Sequence, residues 1–509
     1  MKVLAKHKFT LLFFLSISFI YFVIRLPNLT LQPIFADEAI YVRWAQIMRA
    51  EPTLRFLPLS DGKTPLFMWV LMPFFKFFSD PLLAGRFLSV ISGFASLIGV
   101  FVLGWIFFNR RVGLWSAALL TLTPFTFFFD RMALVDSMLT AFSIWSLVFA
   151  LLLIRWRRLD LAMILGYFLG GGLLTKTPAM FNLIALPATL LIFDWKDKAR
   201  QKKLLQIIGL WVVAIIITFT VYSILKLGPG FDNLSSRNQD YIFSPLELVG
   251  RPLDPFIPHL RDLADWFPKL ITVPVILLIL FSVGLAFLVK NKYALAVLIW
   301  SITPLLIEMA FLKTFTARYI LSSIPPLLVL SAFGVDFLIE RVRMKKIFLY
   351  LATSVFLFLI PVKIDLTLLT APENVDLPRS ERSGYFEAWT AGYGFPEIAN
   401  FLIDEAKNGT VVVGTEGFFG TLPDGLMIYL DSYDHLADKD HQVVVLGSKI
   451  PISDDVREQA GIHPTFFVAN NSRFEGEEKI ELIAKYPKAK GPGLSQDAIL
   501  FYRVLPGGE

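Results

Sequence analysis

Between residues 9 and 363 the chain alternates, about eleven times, between apolar stretches able to cross roughly 30 Å of hydrocarbon and short polar connections. This pattern constrains the fold more than any motif, because inside hydrocarbon each segment must satisfy its own backbone N–H and C=O groups, and a helix does so. The stretches fall near 9–26, 81–108, 112–129, 133–154, 160–175, 178–193, 204–226, 269–289, 293–312, 317–339 and 345–363. With 55% hydrophobic residues among 509, the chain is far more apolar than a soluble domain. It reads as a polytopic α-helical membrane protein.

The formal net charge of +6 has a topological origin. Lys2, Lys6 and Lys8 precede the first stretch and place the N-terminus in the cytoplasm. Every second connection is then basic: Arg110/Arg111, Arg155/Arg157/Arg158, residues 196–203, Lys290/Lys292 and residues 341–346. No nucleic-acid partner is needed to explain the charge. The run 11–24 could be a signal peptide or an uncleaved first span; the lack of a small-residue cleavage site and the parity of the later spans favour the span. Cysteine is absent, which removes disulfides, thiolate nucleophiles and zinc–thiolate sites, and five histidines argue against a histidine-rich metal centre.

The organisation expected is a membrane domain over 1–363, with outer loops 27–80 and 227–268, and a small α/β domain over 364–509 on the outer face. In the first loop, Ile40, Trp44, Ile47 and Met48 recur at helical spacing and predict an amphipathic helix on the outer surface. The apolar run 65–78 is too short to span and reads as interfacial or re-entrant. The long connection 227–268 shows no obvious fold, and loops of that length are often functional. Beyond Lys363, β-type runs are expected at 410–414, 426–430, 442–447, 465–470 and 498–504, with helices near 395–407 and 479–485.

Charged residues that interrupt this apolar background are the candidates for chemistry. Asp37 and Glu38 open the predicted surface helix, where Asp37 could be the N-cap and Glu38 a carboxylate favoured by the helix dipole. Equally, an acid there could serve as a general base. Asp136 falls in the first turns of an apolar helix, where an ionisable group is costly unless it faces protein or water; Asp130 and Arg131 beside it read as interfacial charges. Lys63, Lys176 and Arg318 sit at predicted outer junctions, where they could snorkel to headgroups or bind phosphate, arginine in two places and lysine as a point charge.

In this order the residues resemble the GT-C membrane glycosyltransferases related to protein O-mannosyltransferases and lipid A aminoarabinose transferases (PMT-like and ArnT-like proteins). The resemblance covers most of 1–340 and rests on Asp37/Glu38, the KTPL element from Lys63, Arg86 in AGRFLS, Arg131 with Asp136, TKTP at Lys176, and ARY at Ala317 to Tyr319. The stretch YFEAWTAGYG, 385–394, is similar to the passage into the outer domain of some relatives. The resemblance implies transfer of a hexosyl or pentosyl group, with inversion, from a polyprenyl-phosphate sugar to a lipid, protein or glycan acceptor at the outer face of the plasma membrane. By that analogy Asp37, Glu38 and Asp136 are the catalytic acids, Asp37 being the base. Lys63, Arg318, Lys176 and Arg131 bind the donor phosphate, and Tyr41 and Tyr319 contact substrate. Gly62 stands where aminoarabinose transferases carry an acid, a departure that bears on whether their sugar specificity and metal-binding pattern carry over.

Such a reaction is chemically economical. Phosphate departs without the protonation an alkoxide needs, so one base and cationic stabilisation suffice and a glycosidase-like pair of carboxylates is not required. No cofactor is demanded, although carboxylates could hold a divalent cation of unspecified identity. The rival readings are a transporter or flippase of lipid-linked saccharides, for which binding at mid-membrane is typical, and a silent glycan-binding scaffold.

Overall fold

The computed structural model describes residues 2–251, 253–434, 440–493 and 495–506. The side chains of Lys2 and Lys6 lie outside the described residues. The chain forms two compact units that interleave in sequence. A helical unit comprises Met1–Pro27, Arg55–Phe67 and Phe87–Ala371; a mixed unit comprises Asn28–Leu54, Met68–Arg86 and Pro372–Glu509. A contiguous division at 363/364 does not describe this arrangement, because two segments of the first loop cluster with the C-terminal part.

In the helical unit each expected span coincides with helix. Among the described residues, seven helices are long and apolar enough to cross a membrane, and up to nine if two bent pairs each make one span. The bends are 61° between Arg110–Leu122 and Pro124–Asp130, and 116° between Phe256–Leu270 and Val273–Leu288. The expected spans 160–175 and 178–193 are shorter apolar helices, Leu159–Thr175 and Thr177–Ile192. The chain is a multi-pass membrane protein. Caps fix the helix starts: Asn109 accepts from the N–H groups of Arg111 and Val112, and Asn291 from that of Ala294. The Pro81–Phe107 and Arg110–Leu122 helices meet at Gly104 and Gly113, where a Cβ on Gly104 would stand 2.8 Å from the Gly113 Cα.

The connection 227–268 is not a featureless loop. It folds into the helices Asn233–Tyr241, Pro245–Val249 and most of Phe256–Leu270, with Ser244 and Glu247 forming a capping box. Asn233 donates from Nδ2 to the carbonyls of Leu59 and Ser60, at 3.3 Å each. The run expected to be interfacial is a short apolar helical stretch, Leu66–Lys76.

The mixed unit contains helix α2 (Ala36–Ala50) and two sheets. Strands β1 (Ile34–Phe35) and β2 (Ala391–Gly392) pair antiparallel, so YFEAWTAGYG supplies the partner of the strand leading into α2. The larger sheet has the order β4-β3-β5-β7-β6, where β3 is Val411–Glu416, β4 Val443–Ser448, β5 Thr465–Asn470, β6 Ile480–Pro487 and β7 Ala498–Val504. Its three-strand parallel part, β4-β3-β5, continues into an antiparallel edge. Two expectations are overturned here. Residues 426–430 lie in the helix Asp424–Asp434, because Leu426, Ile428 and Leu430 are buried in a helix packed on almost every side, and a short fully apolar run carries no period. Of residues 479–485, all but Lys479 lie in edge strand β6, since pairing with β7 overrides their helical spacing.

Helix α2 is more deeply packed than an amphipathic surface helix. Ile40, Trp44 and Met48 are buried, and against the Asp424–Asp434 helix Gln46 donates to the Ile428 carbonyl at 2.8 Å while Arg43 pairs with Asp431 at 2.6 Å.

Candidate active site

In the mixed unit, Asp37 and Glu38 occupy the second and third positions of α2, and Phe35 is the N-cap. Asp37 is therefore not the cap: the helix starts earlier because Glu38 Oε2 accepts the Phe35 N–H at 3.0 Å and Thr390 accepts that of Ala36. Both acids keep the favourable first-turn position. Asp37 is half-buried. Glu38 is fully buried and locked to Arg86, whose Nε and Nη2 donate to Oε1 and Oε2 at 2.8 Å each. The same guanidinium donates to the carbonyls of Leu29, Gln32 and Pro33 at 2.6 to 3.0 Å. Glu38 and Arg86 thus fix the approach to α2, and with it the place of Asp37. Tyr41, on the next turn, is buried with its ring 6.2 Å from that of Trp44.

In the helical unit, Asp136 is the second residue of the Val135–Trp156 helix, 2% exposed. Its Oδ1 lies 2.6 Å from Nζ of Lys176, the residue that ends the Leu159–Thr175 helix in extended backbone. An acid at a helix start facing a cation at a helix end is favoured by both dipoles. The ammonium also lies 4.2 Å from the centre of the Tyr319 ring, and the Arg318 guanidinium lies 5.5 Å from the same ring. Arg318 and Tyr319 belong to the 3-10 turn Ala317–Ser323, ahead of the Ile324–Arg341 helix. Tyr319 therefore gathers two cations.

Lys63 follows a turn that only glycine suits. Gly62 has φ +63°, and a Cβ there would stand 2.4 Å from the Arg237 Cβ, so the position is shaped by the Asn233–Tyr241 helix pressed onto it. Lys63 is half-buried, 3.4 Å from Asp61. Asp130 and Arg131 are buried rather than interfacial. Asp130 accepts from Arg25 at 3.2 Å, Tyr21 at 3.1 Å and Ser137 at 2.8 Å. Arg131 donates from Nη1 to the carbonyls of Arg25 and Pro27, at 2.6 and 2.8 Å, which ties down the end of helix α1 (Lys2–Arg25).

Similarity to known proteins follows this geometry. Residues 62–222, which include Lys63, Arg131, Asp136 and Lys176, match the family described as dolichyl-phosphate-mannose-protein mannosyltransferase. In structure the chain is similar to ArnT of Cupriavidus metallidurans in the apo state, with 15% identity over 98% of each chain and a TM-score of 0.59. The fold is that of ArnT. The same enzyme bound to undecaprenyl phosphate gives a TM-score of 0.57, at 15% identity over 97% of this chain and 98% of that one. No curated protein is significantly similar to the chain in sequence. The expected fold class, a polytopic helical protein with a small C-terminal sheet domain, is thus borne out by the ArnT likeness.

One residue near Asp136 and Lys176 was missed from sequence. Glu308 is 1% exposed, lies within electrostatic reach of Lys176 and Asp136, and leaves Oε2 without a hydrogen bond among the described residues. Its signal was legible, since an acid inside the apolar run LLIEMAF is itself a functional hint. Among the described residues, no three His, Asp or Glu gather as a metal-binding group.

Proposed function

We propose that the protein is an inverting glycosyltransferase that moves a sugar from a polyprenyl-phosphate donor to a hydroxyl of a lipid, protein or glycan acceptor at the outer face of the plasma membrane. The observation that carries this reading is the pair of cations at the Tyr319 ring, Lys176 and Arg318, in a protein with the fold of ArnT. The binding of undecaprenyl phosphate by ArnT of Cupriavidus metallidurans supports a lipid-phosphate donor.

In this reading Asp37 removes the acceptor proton. The acceptor oxygen then attacks the anomeric carbon opposite the phosphate, and the carbon–oxygen bond to phosphate breaks with its electron pair leaving on phosphate. Negative charge grows on the leaving oxygens, and cations held in advance favour that state over the bound donor. Arg318 and Lys63 bind those oxygens. Lys176 is the third cation and Asp136 the acid that orients it, while Tyr41 and Tyr319 contact substrate. Glu38 positions Asp37 through Arg86, and Arg131 fixes the end of α1.

The test is sugar release from radiolabelled polyprenyl-phosphate sugars by the reconstituted full chain, with wild type and Asp37→Asn compared at equal folded amount. Wild type is expected to turn over one donor, and Asp37→Asn to lose about 10²-fold or more, as removal of a general base does. Equal turnover by both would take Asp37 out of the base role. Movement of donor across the vesicle without sugar release would instead favour a transporter of lipid-linked saccharides, which the bent helix pairs would suit.

A further inference from the structure

Further along α2 than Asp37, the mixed unit holds an open cavity of about 870 Å³, within the size range of small-molecule sites. Gln46 and Arg49 line it from α2, and Phe75 and Phe78 from the segment that leads into the Pro81–Phe107 helix. Asp80 lies at the start of that helix, Asn400 on the Phe395–Ala406 helix, and Tyr429 with Asp431 on the Asp424–Asp434 helix.

Three of the polar groups are held in place by the fold. The Gln46 amide is fixed by its bond to the Ile428 carbonyl, and the Asp431 carboxylate by Arg43. Asp80 accepts through Oδ1 from the N–H groups of Leu82 and Leu83, at 2.9 and 3.0 Å. Three more, the Arg49 guanidinium, the Asn400 amide and the Tyr429 hydroxyl, line the cavity without a hydrogen bond or ion pair to another described residue. Burial, and after it the Asp80 carboxylate, raise the Tyr429 phenol above its ordinary range, so it stays a donor. Arg43 balances Asp431, and Arg49 offsets Asp80.

The ligand that fits such a lining is defined by elimination. An anion would need surplus positive charge, a cation surplus negative charge, and a lipid chain continuous apolar walls. Planar amide, carboxylate and guanidinium groups beside aromatic faces, with charge near balance, match a neutral molecule with many hydroxyls and an apolar face. We propose that this cavity binds a neutral oligosaccharide portion of the acceptor, remote from the hydroxyl that reacts. Gln46 and Arg49 are nine and twelve residues beyond Asp37, or about 14 to 18 Å along α2 at 1.5 Å per residue. Resting on the transferase reading for the role of Asp37, this separation requires an acceptor of several sugar units.

The experiment measures binding of linear glucose, mannose and N-acetylglucosamine oligomers, of one to six units, to the full chain in nanodiscs. Saturation-transfer NMR without any donor provides the readout. Asn400 and Ser432 are exposed on the cavity rim, so Asn400→Trp and Ser432→Trp fill it without disturbing the core. The expected result is that oligomers of one series bind more tightly than their monosaccharide, and that both variants weaken this binding at least tenfold. In turnover, the same variants raise the acceptor KM and leave the donor KM unchanged. No binding by any oligomer, binding indifferent to both substitutions, or a rise in the donor KM alone overturns the proposal. Because the binding arm contains no donor, its outcome is independent of the Asp37→Asn result.

Discussion

Glu38 and Asp136 each open a helix and each faces a cation, yet the two pairs are finished differently. In the mixed unit, Glu38 and Arg86 are sealed, with side chains 0% exposed, both carboxylate oxygens accepting, and the remaining guanidinium bonds given to three carbonyls. In the helical unit the pair is open. Lys176 is 22% exposed, Asp136 Oδ2 has no hydrogen bond among the described residues, and the buried Glu308 adds a second carboxylate nearby. A sealed pair holds backbone in place and cannot change partner without local unfolding. An open pair keeps capacity for a substrate. Residue type does not separate the two pairs; the completeness of their hydrogen bonding does.

The largest effect is expected from breaking the sealed pair. Arg86→Ala leaves a buried carboxylate without its counter-ion and three carbonyls without donors, a loss of about 3–5 kcal/mol. It should appear as a collapse in the yield and melting temperature of the reconstituted protein. Arg86→Lys should not rescue it, because an ammonium cannot reproduce the guanidinium fork. Melting of Arg86→Ala at the wild-type temperature would show that the pair is not part of the scaffold. Asp136→Asn should do the reverse. The side chain keeps its shape and Lys176 is 22% exposed, so melting should shift little while sugar transfer per folded molecule falls about 10²-fold. A melting collapse with unchanged transfer would make the open pair architectural as well, and the contrast between the two regions would disappear.

The sequence predicted these regions unequally. Membrane helices were legible because each satisfies its own backbone, so hydropathy alone locates them; the 61° and 116° angles were not, although a proline, Pro124 or Pro274, stands in the first turn beyond each break. Strands β3, β4, β5 and β7 stood out as β-branched or aromatic runs, whereas edge strand β6 and the buried helix Asp424–Asp434 were misread because pairing and burial outweigh local period. At the site, the charged residues themselves were visible against an apolar background. Their finish was not: that Glu38 is closed by Arg86, that Arg131 holds the end of α1, and that Lys176 and Arg318 share Tyr319 all depend on contacts distant in sequence. Gly62 shows the same limit: its positive φ ends the local turn Leu57–Asp61, but the lack of room for a Cβ comes from a helix more than 170 residues away.

A third buried cation offers the finest test of the contrast. Lys488, 1% exposed, donates to the Ala388 carbonyl and to Asp497 at 3.0 Å each, and to Asn470. It is a lysine finished like Arg86 rather than like Lys176. Burial lowers its pKa, against the opposing pull of Asp497. The folded chain therefore gives up this proton at a lower pH than the unfolded chain, whose lysine titrates near 10.4. Between those two values the unfolded state binds more protons, so stability rises with pH across the window; below it both states hold the proton and the lysine adds no slope. Lys488→Met should abolish that rise and cost about 1–3 kcal/mol at neutral pH, because the Ala388 carbonyl and the Asn470 side chain lose their donor, while Asp497, only half-buried, keeps its bonds to Ser472. Thermal unfolding of the full chain at a series of alkaline pH values reads the slope directly. An identical slope in wild type and Lys488→Met would mean that burial does not shift this lysine, and the distinction between finished and unfinished cations would then rest on Arg86 and Lys176 alone.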